Sequence, residues 1–487
     1  MESTLRMTLG RMTLGRMTLG LTLAAAAFVC GLENASAQKD KSVSTWLTDP
    51  AQSIYFQQQP DEVRLEKGNE YPGDPIITID DSKRYQSIDG FGFALTGGSA
   101  GHIMQMSAGA RAELLKDLFT TDSTHIGASY LRVSIGASDL SDHAFSYDDL
   151  PAGQTDTSLT HFDLGPDLKD VVPVLKQILD IDPTIKILGS PWSAPAWMKT
   201  NHDTRGGSLL PQYESAYARY LVRYILAMQE QGIGVGFITV QNEPLHPGNN
   251  PSMYMPAAQQ AEFIKNYLGP AFEQERLDTK IIIYDHNADH PEYPISILDD
   301  PQARQYVDGS AFHLYGGKID ALSAVHDSFP DKNLYFTEQW VGGPGNFSRD
   351  IPEHIRKLII GATRNWCKVV IEWNLAADSV YEPHTDRGGC DRCLGAVTID
   401  GDRVRRNPAY YIIAHASKFV RPGSVRIGTN SDDSLPNVAF HTHTNQVVLI
   451  VLNNTETKRA FTIDYKNRRI HPTLGPGAVA TYVIAPN

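Results

Sequence analysis

The pattern of apolar and polar positions changes twice along this chain. Between about residues 88 and 375, short continuous apolar runs alternate with segments whose apolar residues recur at helical spacing. Before about residue 81 and after about residue 417, apolar residues alternate with polar ones at a period of two, and Gly and Pro separate the runs. The first pattern is typical of parallel strands buried on both faces, and the second of antiparallel sheet.

Strand-like runs and helical patterns alternate through the middle region. The runs cover residues 88–95, 129–136, 185–190, 236–240, 280–284, 309–314, 333–337 and 369–373. The helical patterns include residues 110–119, 167–179, 214–229, 257–268 and 352–365. This alternation fits a (β/α)8 barrel, whereas a doubly wound open sheet would carry a Gly-x-Gly-x-x-Gly turn after its first strand, which the chain lacks.

We therefore predict an α/β chain with two folded parts. A (β/α)8 TIM barrel is expected over residues 84–416. A small β-sandwich side domain is expected from residues 50–83 together with 417–487, because the period of two returns on both sides of the barrel.

Glu243 and Glu338 each follow an apolar, β-branched run, in Gln241-Asn242-Glu243-Pro244 and Phe336-Thr337-Glu338-Gln339. The carboxyl ends of all strands of a (β/α)8 barrel meet at one mouth, where such enzymes keep their active site. Two carboxylates there can supply acid/base and nucleophilic chemistry, the pairing that glycoside hydrolysis requires. The competing interpretations are a helix cap for Glu243 and a structural ion pair for Glu338.

Other polar and aromatic residues follow the same strands. Aromatic side chains commonly bind the apolar faces of sugar rings, and Trp192, Tyr315, Trp340 and Trp373 fall on the predicted face. Arg132 is expected either to contact substrate or to form a buried ion pair with Asp139 or Glu243. His313 and Tyr315 are expected to orient the nucleophile or to donate a hydrogen bond to it. Strand-end residues that also fall here are Asn242, Asp285, His286 and Asn374.

Composition limits the possible partners. The chain has 487 residues, 41% of them hydrophobic, which is enough for one large domain and a smaller one. Its formal net charge of −13 argues against nucleic acid, because phosphate binding needs clustered Lys and Arg. We expect a carbohydrate substrate, a monomer, and neither a metal ion nor a cofactor.

The first 37 residues have the character of a secretory signal. Arg-Met-Thr-Leu-Gly occurs three times between residues 6 and 20, an apolar stretch follows at 21–32, and Ala35-Ser36-Ala37 forms a small-x-small site. The apolar stretch is shorter than the roughly 20 residues that span a bilayer. We expect a signal peptide over residues 1–37, no transmembrane segment and an exported protein, periplasmic or secreted; an ordinary N-terminal helix is the alternative.

Three cysteines follow that segment. Cys367 precedes an apolar run and is expected to be a buried, inert thiol. Cys390-Asp391-Arg392-Cys393 admits three interpretations: a redox motif, half of a metal site with His384 and Asp386, or a local disulfide. The disulfide is favoured because exported compartments are oxidising and the flanking glycines indicate a loop.

Several motifs together resemble glycoside hydrolase family 30. They occur in the family's order, from Gln86-Ser-Ile-Asp-Gly-Phe-Gly92 through Leu131-Arg-Val-Ser, Gly189-Ser-Pro-Trp-Ser-Ala-Pro-Ala-Trp-Met-Lys199, Gln241-Asn-Glu-Pro, Phe336-Thr-Glu-Gln and Glu372-Trp-Asn-Leu to Arg406-Asn-Pro-Ala-Tyr-Tyr411. The resemblance implies a retaining double displacement, with Glu243 as acid/base and Glu338 as nucleophile. It also implies that Arg132, Asp139, Trp192, Asn242, His313, Tyr315 and Trp373 surround the terminal sugar.

Departures from the family pattern bear on the substrate. The loop over residues 382–395, which contains Cys390 and Cys393, resembles that of microbial β-1,6-glucanases of the family. We expect a retaining β-glycoside hydrolase acting on β-1,6-glucan, with glucosylceramide or another β-glucoside as the alternative substrate. A non-catalytic sugar-binding protein on the same scaffold would lack one of the two glutamates, and a Schiff-base lyase would need a strand-end lysine, which the sequence does not provide.

Overall fold

The structure is a computed structural model, and it describes residues 42–61, 63–68 and 72–486. The signal peptide expected over residues 1–37 lies outside the described residues. These described residues form one compact unit. None of the helices found in the described residues combines the length and the apolar character that crossing a membrane requires.

The strands are, in chain order, β1 (Ser42–Asp49), β2 (Ile54–Gln58), β3 (Val63–Arg64), β4 (Glu66–Lys67), β5 (Ile76–Ser87), β6 (Gly90–Leu95), β7 (Tyr130–Ile135), β8 (Lys186–Pro191), β9 (Phe237–Thr239), β10 (Lys280–Ala288), β11 (Val307–Gly317), β12 (Asn333–Glu338), β13 (Val341–Gly342), β14 (Cys367–Asn374), β15 (Ala376–Ala377), β16 (Cys393–Leu394), β17 (Val397–Asp400), β18 (Arg403–Arg406), β19 (Val425–Thr429), β20 (Asn437–His441), β21 (Val447–Leu452), β22 (Arg459–Ala460), β23 (Thr462–Tyr465), β24 (Arg468–Ile470), β25 (Thr473–Leu474) and β26 (Val479–Ile484).

The α-helices are α1 (Gly97–Gln105), α2 (Ala108–Phe119), α3 (Val171–Ile181), α4 (Glu214–Glu230), α5 (Ala257–Phe263), α6 (Gly269–Glu275), α7 (Glu292–Asp299), α8 (Pro301–Arg304), α9 (Ala321–Ser328), α10 (Phe347–His354) and α11 (Pro408–Ser417). One π-helical segment joins α5 to α6 and another follows α10, at Ile264–Leu268 and Ile355–Ala362. Short 3-10 turns lie at Pro50–Gln52, Gly165–Leu168, Ala196–Met198 and Pro211–Tyr213.

Eight parallel strands close into a barrel in the order β6, β7, β8, β9, β10, β11, β12, β14 and back to β6. Each overlaps one of the eight apolar runs of the sequence, so the predicted (β/α)8 barrel is confirmed and the doubly wound sheet is wrong. The helical patterns also lie on helices, although two of them run on as π-helix. β9 is shorter than its apolar run and covers only Phe237–Thr239.

The barrel interior is layered along the strands. Its lower layer is a separate apolar cluster of seven residues drawn from six strands: Tyr130, Leu188, Ile282, Ala311, Tyr335, Val369 and Ile371. Because side chains alternate between the two faces of a strand, the next inward positions come two residues later, as in Arg132, Ser190 and Thr337. These upper positions are polar and buried. The same strands therefore provide both an apolar floor and a polar mouth.

Gly92 shows how tightly two barrel strands approach each other. A Cβ atom there would lie 1.8 Å from the backbone carbonyl oxygen of Tyr130 on the neighbouring strand. Only glycine leaves space for that carbonyl, so this position of β6 excludes any side chain.

The side domain is one long, mostly antiparallel sheet. Its strands follow the order β2, β1, β26, β21, β20, β19, β5, β23, β24, β4, and β3 pairs with β1. Strands from before and after the barrel therefore share one sheet, with their own apolar core that includes Val43, Ile77, Leu449 and Phe461. The domain boundaries proposed from the sequence stay a prediction.

Helix α11 joins the two parts. Buried His415 makes hydrogen bonds through Nδ1 to Thr481 (2.9 Å) and through Nε2 to Thr48 (2.7 Å), both on the side-domain sheet. Burial lowers the pKa of His415 to about 3, so the ring is neutral at physiological pH. A neutral imidazole can donate with one nitrogen and accept with the other, which satisfies both threonine contacts.

Candidate active site

Glu243 and Glu338 face each other at the mouth of the barrel. Glu338 is the last residue of β12, and Glu243 lies four residues beyond the end of β9. Both residues are buried. One carboxylate oxygen of each, together with one ring nitrogen of His313, lies within 4.8 Å of the other two atoms. This separation is short, as expected for direct attack on a sugar rather than attack through an intervening water.

The backbone that carries Glu243 is held by neighbouring strands. The N–H of Glu243 donates to the carbonyl of Asp285 (2.9 Å), and the N–H of Asn242 donates to that of Pro191 (2.8 Å). Glu243 has a φ of 45°, and Tyr284 and Asp285 have φ values of 71° and 64°. Left-handed conformations cost non-glycine residues about 1–3 kcal/mol each, and they persist where surrounding structure holds them. The strained positions therefore cluster where the carboxylates are aimed.

Arg132 lies at the centre of the site and is fully buried. Its Nη1 donates to Oε2 of Glu338 at 2.5 Å, and its Nη2 donates to Oδ2 of Asp285 at 2.8 Å and to Oδ1 of Asn242 at 2.7 Å. The sequence-based expectation of an ion pair with Asp139 or Glu243 is therefore wrong. The side chain of Arg132 points from β7 into the barrel, and its guanidinium reaches Asp285 on β10 and Glu338 on β12.

Asp285 is the functional residue that sequence reasoning did not assign. It is fully buried, and it accepts hydrogen bonds from Arg132, from Ser190 (2.7 Å) and from the hydroxyls of Thr239 (2.7 Å) and Thr337 (2.6 Å). Burial opposes ionisation, but Arg132 and His313 hold the pKa of Asp285 well below its usual range. Its place at the end of an apolar run was visible in the sequence, whereas its partners lie on other strands.

His313 connects three carboxylates. Its Nδ1 lies 3.2 Å from Glu243 and 3.8 Å from Glu338, and its Nε2 lies 3.1 Å from Asp285. Burial disfavours the charged ring, but the charge of Glu338 and the contacts with Asp285 and Glu243 raise the pKa of His313 to about 9. A protonated imidazole donates from both nitrogens and has no lone pair for a metal ion. The donor set of Glu243, His313 and Glu338 therefore favours proton chemistry.

The two glutamates are held differently. The hydroxyl of Tyr315 donates to Oε1 of Glu338 at 3.0 Å, so that both oxygens of Glu338 accept hydrogen bonds from fixed donors. Glu243 has longer contacts, 3.2 Å to His313 and 3.4 Å from Nδ2 of Asn249. The donors at both oxygens of Glu338 stabilise it as a carboxylate and fix its position. Oε2 of Glu243 has only one long contact, so it can carry a proton.

The acids of the site influence one another. Burial raises the pKa of Glu338, with His313 and Arg132 opposing the rise. Burial also acts on Glu243, but His313 and His286 outweigh it and lower the pKa of Glu243. Burial and the charges of Glu338 and Glu243 raise the pKa of Asp139 to about 8, so Asp139 is mostly a neutral carboxyl group at pH 7. Groups this close exchange protons as a coupled set.

A cavity of about 310 Å³ opens between these side chains. Its walls are Asp139, Glu243, His246, Asn249, His286, Asn287, Tyr315, Glu338, Trp340, Trp373, Cys390 and Cys393. Of the residues that the sequence pointed to, Arg132, Trp192, Asn242 and His313 are buried and do not line it. His246, Asn249 and Asn287 are wall residues that the sequence analysis missed. His246 and Asn249 lie in a loop, and Asn287 lies near the end of β10, beyond the apolar run at residues 280–284, so none of them belongs to a periodic pattern.

The aromatic residues form two layers. Trp192 stacks on Trp373 with ring centroids 5.4 Å apart, and the guanidinium carbon of Arg132 lies 4.8 Å from the centroid of Trp192. Trp373 and Trp340 line the cavity, whereas Trp192 lies behind Trp373. Trp192 therefore supports both the guanidinium and the ring that faces the cavity.

A disulfide joins Cys390 to Cys393, with an S–S distance of 2.12 Å, and both residues line the cavity. They pack in one apolar cluster with Trp340 and Trp373. Strand β16, which begins at Cys393, pairs with β13 directly after Trp340. The bridge therefore contributes to the wall that also holds the aromatic rings. Cys367 is a free, buried thiol at the start of β14.

The loop that leads into the disulfide contacts three other loops of the barrel mouth. The N–H of Thr385 donates to the carbonyl of Asp139 (3.0 Å), and Nδ2 of Asn250 donates to Oδ1 of Asp386 (2.8 Å). Arg387 forms a two-pronged ion pair with Asp203, with both N–O distances 3.0 Å. These contacts cross-link the rim of the cavity.

The chain is similar to known proteins over most of its length. The model of the "Glycosyl hydrolase family 30 TIM-barrel domain" matches residues 88–420, and that of the "Glycosyl hydrolase family 30 beta sandwich domain" matches residues 423–482. The endo-1,6-beta-D-glucanase neg1 of Aspergillus fumigatus is 38% identical over 72% of this chain and 74% of its own length. The lysosomal acid glucosylceramidase of Mus musculus is 29% identical over 84% of this chain and 83% of its own.

Solved structures give the same result. A structure described as "The endo-beta1,6-glucanase BT3312" has a TM-score of 0.83 and 32% identity, and the match covers 92% of this chain and 100% of that one. SrfJ from Salmonella typhimurium has a TM-score of 0.85 and 26% identity, with the same coverage.

We expect Arg132→Met to destabilise the fold strongly. Removing the cation leaves Asp285 and Glu338 buried without it, which costs about 3–5 kcal/mol at pH 7. The pKa of Asp285 is depressed in the folded protein. Its ion pair with Arg132 therefore stabilises the fold above the pKa of an aspartate in the unfolded chain, about 3.9, and this stabilisation decreases progressively as the pH falls below that value. Denaturant unfolding measures the free energy of unfolding of both proteins. The difference between wild type and Arg132→Met should therefore be smaller at pH 3 than at pH 7.

Arg403→Met is the matched control. Arg403 also pairs with an aspartate, Asp400, but its side chain is 85% exposed. An exposed pair contributes at most about 1 kcal/mol. Equal losses in the two variants would contradict the role assigned to Arg132.

Proposed function

Because the chain belongs to glycoside hydrolase family 30, we propose that it is a retaining endo-β-1,6-glucanase. One observation carries the choice of substrate. Three fungal relatives at 36 to 38% identity, from Aspergillus fumigatus, Trichoderma harzianum and Neurospora crassa, are each named as an endo-1,6-beta-D-glucanase. The solved structure described as an endo-beta1,6-glucanase supports the same choice, whereas the mouse glucosylceramidase is 29% identical.

In this proposal Glu338 is the nucleophile. Arg132 and Tyr315 donate to its two oxygens, which holds the carboxylate in one position and favours its ionised form against the effect of burial. Glu338 attacks the anomeric carbon, and the bond from that carbon to the leaving-group oxygen breaks. The short distance to Glu243 leaves room for a covalent glycosyl-enzyme and not for a water between Glu338 and the anomeric carbon.

Glu243 is the acid and then the base. Its Oε2 is the oxygen with a single long contact, to Asn249, so it can carry the proton that goes to the leaving oxygen. In the second step the ionised Glu243 takes a proton from water, which attacks the anomeric carbon and releases Glu338. The sugar therefore keeps its β configuration.

The remaining groups position the sugar. The neutral carboxyl group of Asp139 can donate a hydrogen bond to a sugar hydroxyl, and the rings of Trp340 and Trp373 offer apolar surfaces. Behind the cavity, Trp192 stacks on Trp373 and His313 contacts both glutamates. Arg132 donates to Glu338 and to Asn242. The loop with the Cys390–Cys393 disulfide forms part of the rim, where a polymer would extend beyond the cavity.

We also propose that the enzyme is exported, as the sequence-based signal peptide implies. The disulfide supports this location, because such bonds persist in oxidising compartments. The monomeric state stays a prediction.

A substrate comparison tests the proposed specificity. The purified protein should release reducing ends from β-1,6-glucan faster than from β-1,3-glucan, xylan or glucosylceramide. Early products should be oligosaccharides of several sizes, and NMR should detect the β anomer first. Glu338→Gln is the matched inactive control. Glucosylceramide as the best substrate, glucose as the sole early product, or an α anomer formed first would each count against the proposal.

Azide rescue should separate the roles of the two glutamates. In Glu338→Gly, azide can enter the space of the missing nucleophile and attack once, so an activated β-glycoside should yield an α-glycosyl azide. In Glu243→Gly the glycosyl-enzyme still forms from such a substrate, and azide attacks it from the other face to yield the β-glycosyl azide. Product anomers are read by NMR. The opposite pair of anomers would exchange the two assignments.

The disulfide loop should affect hydrolysis of the polymeric substrate more than hydrolysis of a small glucoside with a single sugar ring. Replacing Cys390 and Cys393 with Ser frees part of the rim, and we expect about a tenfold loss of kcat/KM on β-1,6-glucan with a smaller loss on an aryl β-glucoside. Val380→Ser, at a 65% exposed position just before that loop, is the control and should match wild type. Equal losses on both substrates would remove this role from the loop.

A further inference from the structure

A second cluster of ionisable residues lies in the long loop between β7 and α3, away from the catalytic glutamates in sequence. It consists of Asp148, Asp156 and His161. One carboxylate oxygen of each aspartate and one ring nitrogen of the histidine all lie within 4.8 Å of one another. The proposed hydrolytic reaction does not use these residues.

Asp148 is the unusual member of the cluster. It is 1% exposed, and within the described part of the chain neither of its side-chain oxygens has a hydrogen-bond partner. Most buried polar atoms are hydrogen-bonded, and a carboxylate has the largest cost when it is not. Its backbone is nevertheless fixed, because the indole N–H of Trp197 donates to its carbonyl at 3.0 Å. An unpartnered carboxylate is therefore held facing another carboxylate.

Asp156 is the ionised partner. Its Oδ2 accepts hydrogen bonds from the hydroxyl of Thr160 and from the N–H of His161, both at 2.8 Å, and Nδ1 of His161 lies 2.8 Å from the same oxygen. Burial alone would raise its pKa, but these hydrogen bonds hold the pKa of Asp156 below its usual range. Burial and the charge of Asp156 raise the pKa of Asp148 to about 6. Two carboxylates this close favour a cation between them.

We propose that Asp148, Asp156 and His161 bind a divalent transition-metal ion of the zinc type. Two carboxylates and one imidazole are a donor set that Zn²⁺ accepts, with water in the fourth position, whereas Ca²⁺ prefers oxygen ligands alone. The side chain of His161 is 66% exposed, so water reaches the site. The ion would supply the partner that Asp148 lacks.

The ion would stabilise a loop that reaches the active site. The same segment is tied to α4, where Arg219 donates to the carbonyl of Thr157 (2.7 Å) and Arg223 donates to that of Leu159. Nearer its start the loop carries Asp139, which lines the catalytic cavity. The ion would therefore join Asp148 to Asp156 and His161 within this loop. We assign it a structural role that is independent of the substrate.

Zinc titration of the full chain tests the site, with a matched pair of histidines. Calorimetry of chelator-treated protein should give one zinc ion per chain, and zinc should raise the unfolding temperature. His161→Ala should weaken binding by at least about tenfold. His143→Ala is the control, because His143 is in the same loop, is 62% exposed and also contacts an aspartate, Asp142, but lies outside the cluster. It should bind as wild type does.

Asp148→Asn provides a second test, because it should raise the unfolding temperature of the metal-free protein instead of lowering it. Removing the unpartnered charge should raise the unfolding temperature of the metal-free protein, while zinc should no longer raise it further. If that variant fails to fold, the histidine pair decides. Equal zinc binding by wild type and His161→Ala would place the ion elsewhere and overturn the proposal. Binding of Ca²⁺ in preference to Zn²⁺ would overturn the assignment of a transition metal.

Discussion

The buried guanidinium of Arg132 is the charge on which the active site depends. Asp285 and Glu338 both lie within hydrogen-bond distance of it, and protonated His313 adds a second cation between Asp285 and Glu243. Asp285 and Glu338 could not both stay ionised at this depth without cations, because burial penalises each charge by several kcal/mol. Removing either cation would change the protonation of the whole group.

This electrostatic centre also explains where the backbone is strained. The positive φ angles of Glu243, Tyr284 and Asp285 occur where a strand must leave its regular path to aim a carboxylate inward. The N–H groups of Glu243 and Asn242 donate to the carbonyls of Asp285 and Pro191 on the adjacent strands, and these hydrogen bonds stabilise that path. The closed barrel provides such bonds on both sides of every strand, so a mouth built from strand ends can hold strained positions that an isolated loop could not.

The rim follows different physical rules. Its loops are joined by side-chain contacts and one disulfide rather than by a continuous backbone ladder, as in the Arg387–Asp203 ion pair and the Cys390–Cys393 bridge. Exposed contacts of this kind contribute little stability, so the rim can vary while the barrel stays the same. The centre of the site is thus held by the barrel strands, whereas the rim is held by contacts between loops.

The sequence by itself determined the barrel and pointed to the two glutamates at its mouth. Eight apolar runs predicted eight strands because a strand buried on both faces has a continuous apolar pattern, and Glu243 and Glu338 were found because each interrupts such a run at its end. Tertiary structure alone decided the partners of Arg132, the central place of Asp285 and the position of Trp192 behind Trp373. It also decided that Asp148 meets His161. Local patterns report how a residue is buried, whereas these contacts join segments that only the closed barrel and its folded loops bring within a few ångströms.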